Sequence, residues 1–154
     1  MNWTVYIKGF RSYLKLEKSL SDNSIEAYLH DVEKLVQFLD YKKYQLAPEK
    51  LELHHLQEFV KWVNELGMSA GTQARMISGI KGFYKYLLME NVVNVDPSAL
   101  LEAPKLGRKL PDTLSVEEIN NLIDAIDLSE GQGQRNKAML ETLYSCGLRV
   151  SELI

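Results

Sequence analysis

Apolar residues return at three- and four-residue steps along almost the whole chain, the spacing that lines one face of a helix. Val5, Ile7, Phe10, Tyr13 and Leu14 predict a first helix from about Thr4 to Lys18. The polar cluster Ser21-Asp22-Asn23-Ser24 supplies capping residues for a second helix, about Asp22 to Tyr41, with Ile25, Leu29, Val32, Val36 and Leu39 on one face. Leu56, Phe59, Val60 and Val63 mark a third, from Leu53 to Leu66, which Gly67 ends as a C-cap. Ser69 opens a fourth, to about Asn91. Ser115 and Glu118 form a capping box for a fifth helix, reaching Ile126; a sixth runs from Gly133 to Ser145 and stops at Gly147. No stretch alternates with the two-residue period of a strand, so the expected fold class is all-α.

The order of these elements suggests two parts. The first four helices, residues 1–102, are enough for one small bundle. Residues 103–113 carry the proline, glycine and basic residues of a linker. Residues 114–154 hold two amphipathic helices with Ile119, Leu122, Ile123, Met139, Leu140 and Leu143 to bury. Two helices rarely make a core alone, so the second part is expected to be the incomplete start of a further domain.

Composition adds little at first. The 154 residues are 45% hydrophobic and 25% charged, ordinary for a folded soluble domain. One cysteine, Cys146, excludes an intrachain disulfide, and a packed thiol is expected. No run is apolar and long enough for a membrane span, and no secretory signal is visible, so the expected location is the cytoplasm. The net charge of −3 argues against a simple basic nucleic-acid binder, but its distribution changes that reading. Residues 69–109 carry six Lys/Arg against three Asp/Glu; residues 110–154 carry three against eight.

The fourth helix lies in the basic segment. On a wheel of about 100° per residue, Met76, Ile77, Ile80, Tyr84 and Leu87 share one side. Thr72, Arg75, Ser78, Gly82 and Lys85 share the other, with Lys81 at the border. Gly79 and Gly82 each cost a helix about 1 kcal/mol against alanine, so something must come close there. Two explanations stay open: a neighbouring helix packed on the glycines, or a DNA major groove into which this polar, positive face is laid.

Other chemistry is thin. His54 and His55 are adjacent and diverge on a helix, which makes them poor joint metal ligands. GQGQ at 131–134 follows no strand and lacks the lysine of a phosphate loop. No cofactor or metal site is expected.

Two stretches resemble the tyrosine recombinase (phage-integrase) family, particularly its Xer-type members. The sharper is LYSCGLRVSEL, residues 143–153, which looks like the box of the family's first catalytic arginine. The looser comprises LSDNSIEAYLHDVEKLVQFL (20–39), GFYKYL (82–87), Asp96-Pro97 and Leu110-Pro111. It resembles the family's four-helix, SAM-like core-binding domain joined to the opening of its catalytic domain.

The resemblance implies that Arg149 holds the scissile phosphate, with Glu152 steadying it. Arginine suits that role because its planar fork binds phosphate bidentately and stays protonated. It also implies that the second and fourth helices face the DNA major groove. The expected contacts are Thr72, Arg75, Ser78, Lys81 and Lys85, with Lys105, Arg108 and Lys109 on phosphates from the linker. The implied partners are double-stranded DNA and, at full length, a second recombinase subunit in a tetrameric synapse.

The sequence departs from the family pattern in one respect. No histidine is followed by x-x-Arg, and all tyrosines but Tyr144 fall in the N-terminal helices, so no nucleophile is assigned. The expected chain is therefore an N-terminal fragment that binds DNA without cutting it. Its start at the first core-binding helix favours a Xer-type resolvase over a mobile-element integrase. A helical protein-interaction module and a plain DNA-binding regulator are the other readings.

Overall fold

The computed structural model describes residues 3–107 and 112–153. Among them the regular structure is entirely helical: α1 (Trp3–Leu16), α2 (Asp22–Tyr41), a 3-10 turn (Pro48–Lys50), α3 (Leu53–Glu65), α4 (Ala70–Met89), α5 (Val116–Asp124), α6 (Gly133–Cys146) and α7 (Val150–Leu153). The chain divides into two compact units, Met1–Gly107 and Arg108–Ile154.

The first unit is built around α4. Its interface with α2 is the most extensive in the unit, and it also packs on α1 and α3. That central place explains why α4 buries more than one stripe. Met76, Ile77, Ile80, Tyr84 and Leu87 are buried as the wheel requires, and Gln73, Gly79, Phe83 and Tyr86 are buried as well. Aromatic rings fill the space where α1 meets α4, with Phe10 edge-on to Phe83 at 5.4 Å between centroids. A second group sits under α2 and α3, where Phe38 meets Phe59 at 5.6 Å.

Three buried or half-buried polar side chains hold the parts of this core together. The Tyr84 hydroxyl donates to the Pro48 carbonyl at 3.2 Å and pins the 3-10 turn to α4. The Trp3 indole donates to the Leu46 carbonyl at 3.0 Å, tying the start of α1 to the connection after α2. Gln73 donates to Asn64 and to the Met68 carbonyl, which fixes the corner between α3 and α4. Gly67, at φ +74°, makes the turn there, and Ser69 caps α4 by accepting from the Thr72 amide at 3.2 Å.

Three local expectations are corrected. Val5 does not join the apolar stripe of α1; it is 56% exposed, because α2 and α4 cover the Phe10–Leu14 side. Ser21 occupies the N-cap of α2 but makes no bond to the helix amides; its hydroxyl meets that of Ser24 instead, at 3.0 Å. Cys146 is exposed rather than packed.

The second unit explains that last point. Its capping box forms as expected, with the Glu118 amide donating to Ser115 and the Ser115 amide donating to Glu118. Gly147, at φ +61°, ends α6. Yet Gly133 is the single buried residue of α5, α6 and α7. Leu122, Leu140, Tyr144 and Val150 are exposed, and Ile119, Ile123, Met139 and Leu143 are only half-buried.

Candidate nucleic-acid interface

The polar face of α4 is the least covered side of the first unit's central helix. Arg75, Ser78 and Lys85 are exposed, and Thr72, Lys81 and Gly82 are half-buried. The sequence wheel thus places the open side of α4 correctly. Ser78, Gly82 and Lys85 line one wall of a shallow depression of about 260 Å³, and Phe10, Tyr13, Lys18 and Tyr28 line others. Lys18 lies 5.7 Å from the centre of the Tyr13 ring and adds a second positive charge to this rim. Sequence spacing alone could not find it, since Lys18 and Lys85 come to line one depression only once the helices pack.

The individual side chains differ in how free they are. Thr72 shares the helix cap, its hydroxyl 3.0 Å from that of Ser69. The Lys81 ammonium reaches the Ala99 carbonyl at 3.4 Å. Lys85 makes no ion pair among the described residues. Lys105 is exposed; Arg108 and Lys109 lie outside the described residues.

Arg75 is tied into the fold. Its Nη1 lies 2.7 Å from both carboxylate oxygens of Asp31 and donates to the Ala27 carbonyl at 3.1 Å, both on α2. Asp31 has no exposed surface, while 42% of the Arg75 side chain is exposed. Burial pushes the Asp31 carboxyl up to about 6, against the downward pull of Arg75. The close approach implied by Gly79 has its cause here: a Cβ on it would lie 2.7 Å from Asp31 Oδ2. Gly82 faces Phe10, at an ordinary 3.7 Å. Gly79 therefore serves the packing of α2 on α4. Asp31 escaped notice in sequence because a carboxylate between His30 and Val32 reads as a solvated flank of the α2 stripe.

The two adjacent histidines are accounted for structurally. The Glu52 amide donates to His55 Nδ1 at 3.1 Å, closing the cap of α3, and burial lowers the pKa of that imidazole. His54 Nδ1 lies 3.3 Å from Glu52. No group of acidic, histidine and cysteine side chains that could hold a metal is present among the described residues.

In the second unit, Gly147 turns the chain and Arg149 precedes the short α7. Glu152 reaches back to both ends of the arginine. It accepts from the Arg149 amide at 2.7 Å and from Nη1 at 3.3 Å. The Arg149 side chain is 83% exposed, so most of the guanidinium stays open to a ligand.

These features carry a family likeness. Residues 7–91 match the phage integrase N-terminal SAM-like domain, and the chain belongs to the tyrosine recombinase (phage-integrase) family. Its relatives include the tyrosine recombinase XerD of Pseudomonas putida, 41% identical over 150 residues, and that of Oceanobacillus iheyensis, 38% identical over 148. Each alignment covers 96% of this chain and 49% or 50% of the relative, so the chain spans about half the length of the curated relatives it matches. An integrase from mycobacterium phage Brujita shares the fold with a TM-score of 0.57 and 21% identity, over 95% of this chain and 46% of that one. No helix among the described residues is long and apolar enough to cross a membrane.

Proposed function

We propose that this chain is the DNA-gripping part of a Xer-type site-specific recombinase. In this reading the open side of α4, with α2 beside it, lies against the major groove of duplex DNA. Arg75, Lys81 and Lys85 neutralise phosphates, Thr72 and Ser78 add neutral donors, and Lys105, Arg108 and Lys109 hold backbone phosphates from the linker. The observation that carries the reading is the exposed Arg75–Ser78–Lys85 strip on the central helix of a recombinase-family domain. The likeness to XerD proteins favours a Xer-type resolvase over a mobile-element integrase.

At full length the reaction would pass through a 3′-phosphotyrosine, which stores the energy of the broken bond until the strands are rejoined. It would need no metal or nucleotide, and a second subunit would complete a tetrameric synapse. Arg149 would bind the scissile phosphate, with Glu152 holding its backbone and one edge of its guanidinium. A phosphate gaining charge in the transition state is stabilised by such a fixed cation. The 154-residue chain itself binds without cutting, because its sequence supplies one residue of the catalytic set.

Fluorescence anisotropy of a labelled duplex, titrated with the chain over a range of salt, tests this. The logarithm of the affinity falls linearly with log salt, and Lys85→Ala lowers the slope by about 0.9, the value of one phosphate. Salt-insensitive self-association without DNA binding contradicts the proposal. It would favour the protein-interaction module, to which the exposed Leu122, Leu140, Tyr144 and Val150 are suited.

A further inference from the structure

We infer that Asp31 is a positioning residue for DNA binding, holding Arg75 so that the rest of its guanidinium stays available to a backbone phosphate. The inference rests on the DNA-binding reading above.

The arrangement is a built one. A guanidinium has five N–H donors in a fixed plane. The two on Nη1 are spent inside the protein, on Asp31 and on the Ala27 carbonyl. Among the described residues, Nη2 and Nε make no hydrogen bond, so three donors remain, two of them, one on Nε and one on Nη2, along one edge. That edge is a two-pronged fork, the shape that takes a phosphate through parallel bonds.

Helix packing protects the hold. Asp31 is fully buried, and Gly79 of α4 leaves the room its carboxylate occupies. Its acidity is consistent with the role: burial raises the carboxyl to about 6, so above that pH the charged form predominates and pairs with Arg75. A long arginine on a solvated face would otherwise lose rotamer entropy when it met a phosphate. Here much of that cost is met on folding, and the positive charge is delivered at one place on the α2–α4 surface.

A simple electrostatic account makes the opposite prediction for one variant. Removing a negative charge beside a DNA-binding surface strengthens binding when charge alone matters. If Asp31 positions Arg75, removing it weakens binding. The experiment compares wild type, Asp31→Asn, Arg75→Ala and the double variant. Duplex affinity and its salt slope are read by anisotropy, and thermal melting confirms that each protein is folded. The double variant removes the stranded carboxyl that Arg75→Ala alone leaves buried.

Asp31→Asn is expected to weaken binding by roughly threefold to tenfold, the scale of one charge-assisted contact. Arg75→Ala is expected to weaken it at least as much and to lower the salt slope by about 0.9. The double variant should bind no worse than Arg75→Ala. Unchanged or tighter binding by Asp31→Asn overturns the inference, as does a loss in the double variant equal to the product of the two single losses. If wild type binds duplex and Arg75→Ala matches it, the inference fails while the DNA-binding reading stands. If wild type does not bind, both fall.

Discussion

A single carboxylate shows how far burial can move a residue from its expected behaviour. Asp31 has a native pKa of about 6, well above the unfolded value of about 4. The native state therefore holds this proton more tightly than the unfolded chain does. The stability it contributes is complete below pH 4 and is lost as pH rises through 6. Urea unfolding should show the loss as roughly 2 kcal/mol between these limits, and Asp31→Asn should remove that part of the pH dependence. An identical pH profile in the variant would contradict it. The sequence made Arg75 legible as a cation on an open helix face, because charge and wheel position suffice for that. It could not show that Arg75 has a buried partner 44 residues earlier, since the pair exists only once α2 and α4 pack.

Among the elements, α4 carries both the core and the candidate interface. Its termini were legible because capping is local: Ser69 precedes the helix and bonds to an amide three residues on. Its open side was legible because Arg75, Ser78 and Lys85 recur at helical steps. The extra burial of Gln73, Phe83 and Tyr86 was not, because it depends on how many neighbours the helix has.

The two interior glycines separate these influences. Gly79→Ala should destabilise the domain by roughly 1–3 kcal/mol, because the added methyl meets the Asp31 side chain at under 3 Å. Gly82→Ala meets Phe10 at 3.7 Å and should be neutral, or stabilising by up to about 1 kcal/mol from helix propensity. Denaturant midpoints of the two variants check this; equal effects would show that Asp31 is not fixed where the helices cross.

At the scale of the molecule, helical class follows from periodicity that persists through nearly the whole chain, and no strand is found among the described residues. The two units differ in what their helices bury. Among the described residues, twenty-two hydrophobic ones are buried, all within residues 3–101, whereas α5, α6 and α7 bury only Gly133. Amphipathicity predicted buried faces for α5 and α6, but an apolar face needs a partner to cover it, and sequence periodicity does not supply one. The exposure of Cys146 has the same origin.

The central claim is that duplex DNA lies on the open α2–α4 side of the first unit. Backbone amide NMR shifts recorded while duplex is titrated into the 154-residue chain test it most directly. The account predicts shifts concentrated at Thr72, Arg75, Ser78, Gly82 and Lys85, joined by Ala27 and Asp31 on α2, and reversed by added salt. Shifts confined to the groove lined by Leu51, Val93 and Leu100, or none at all, would contradict it.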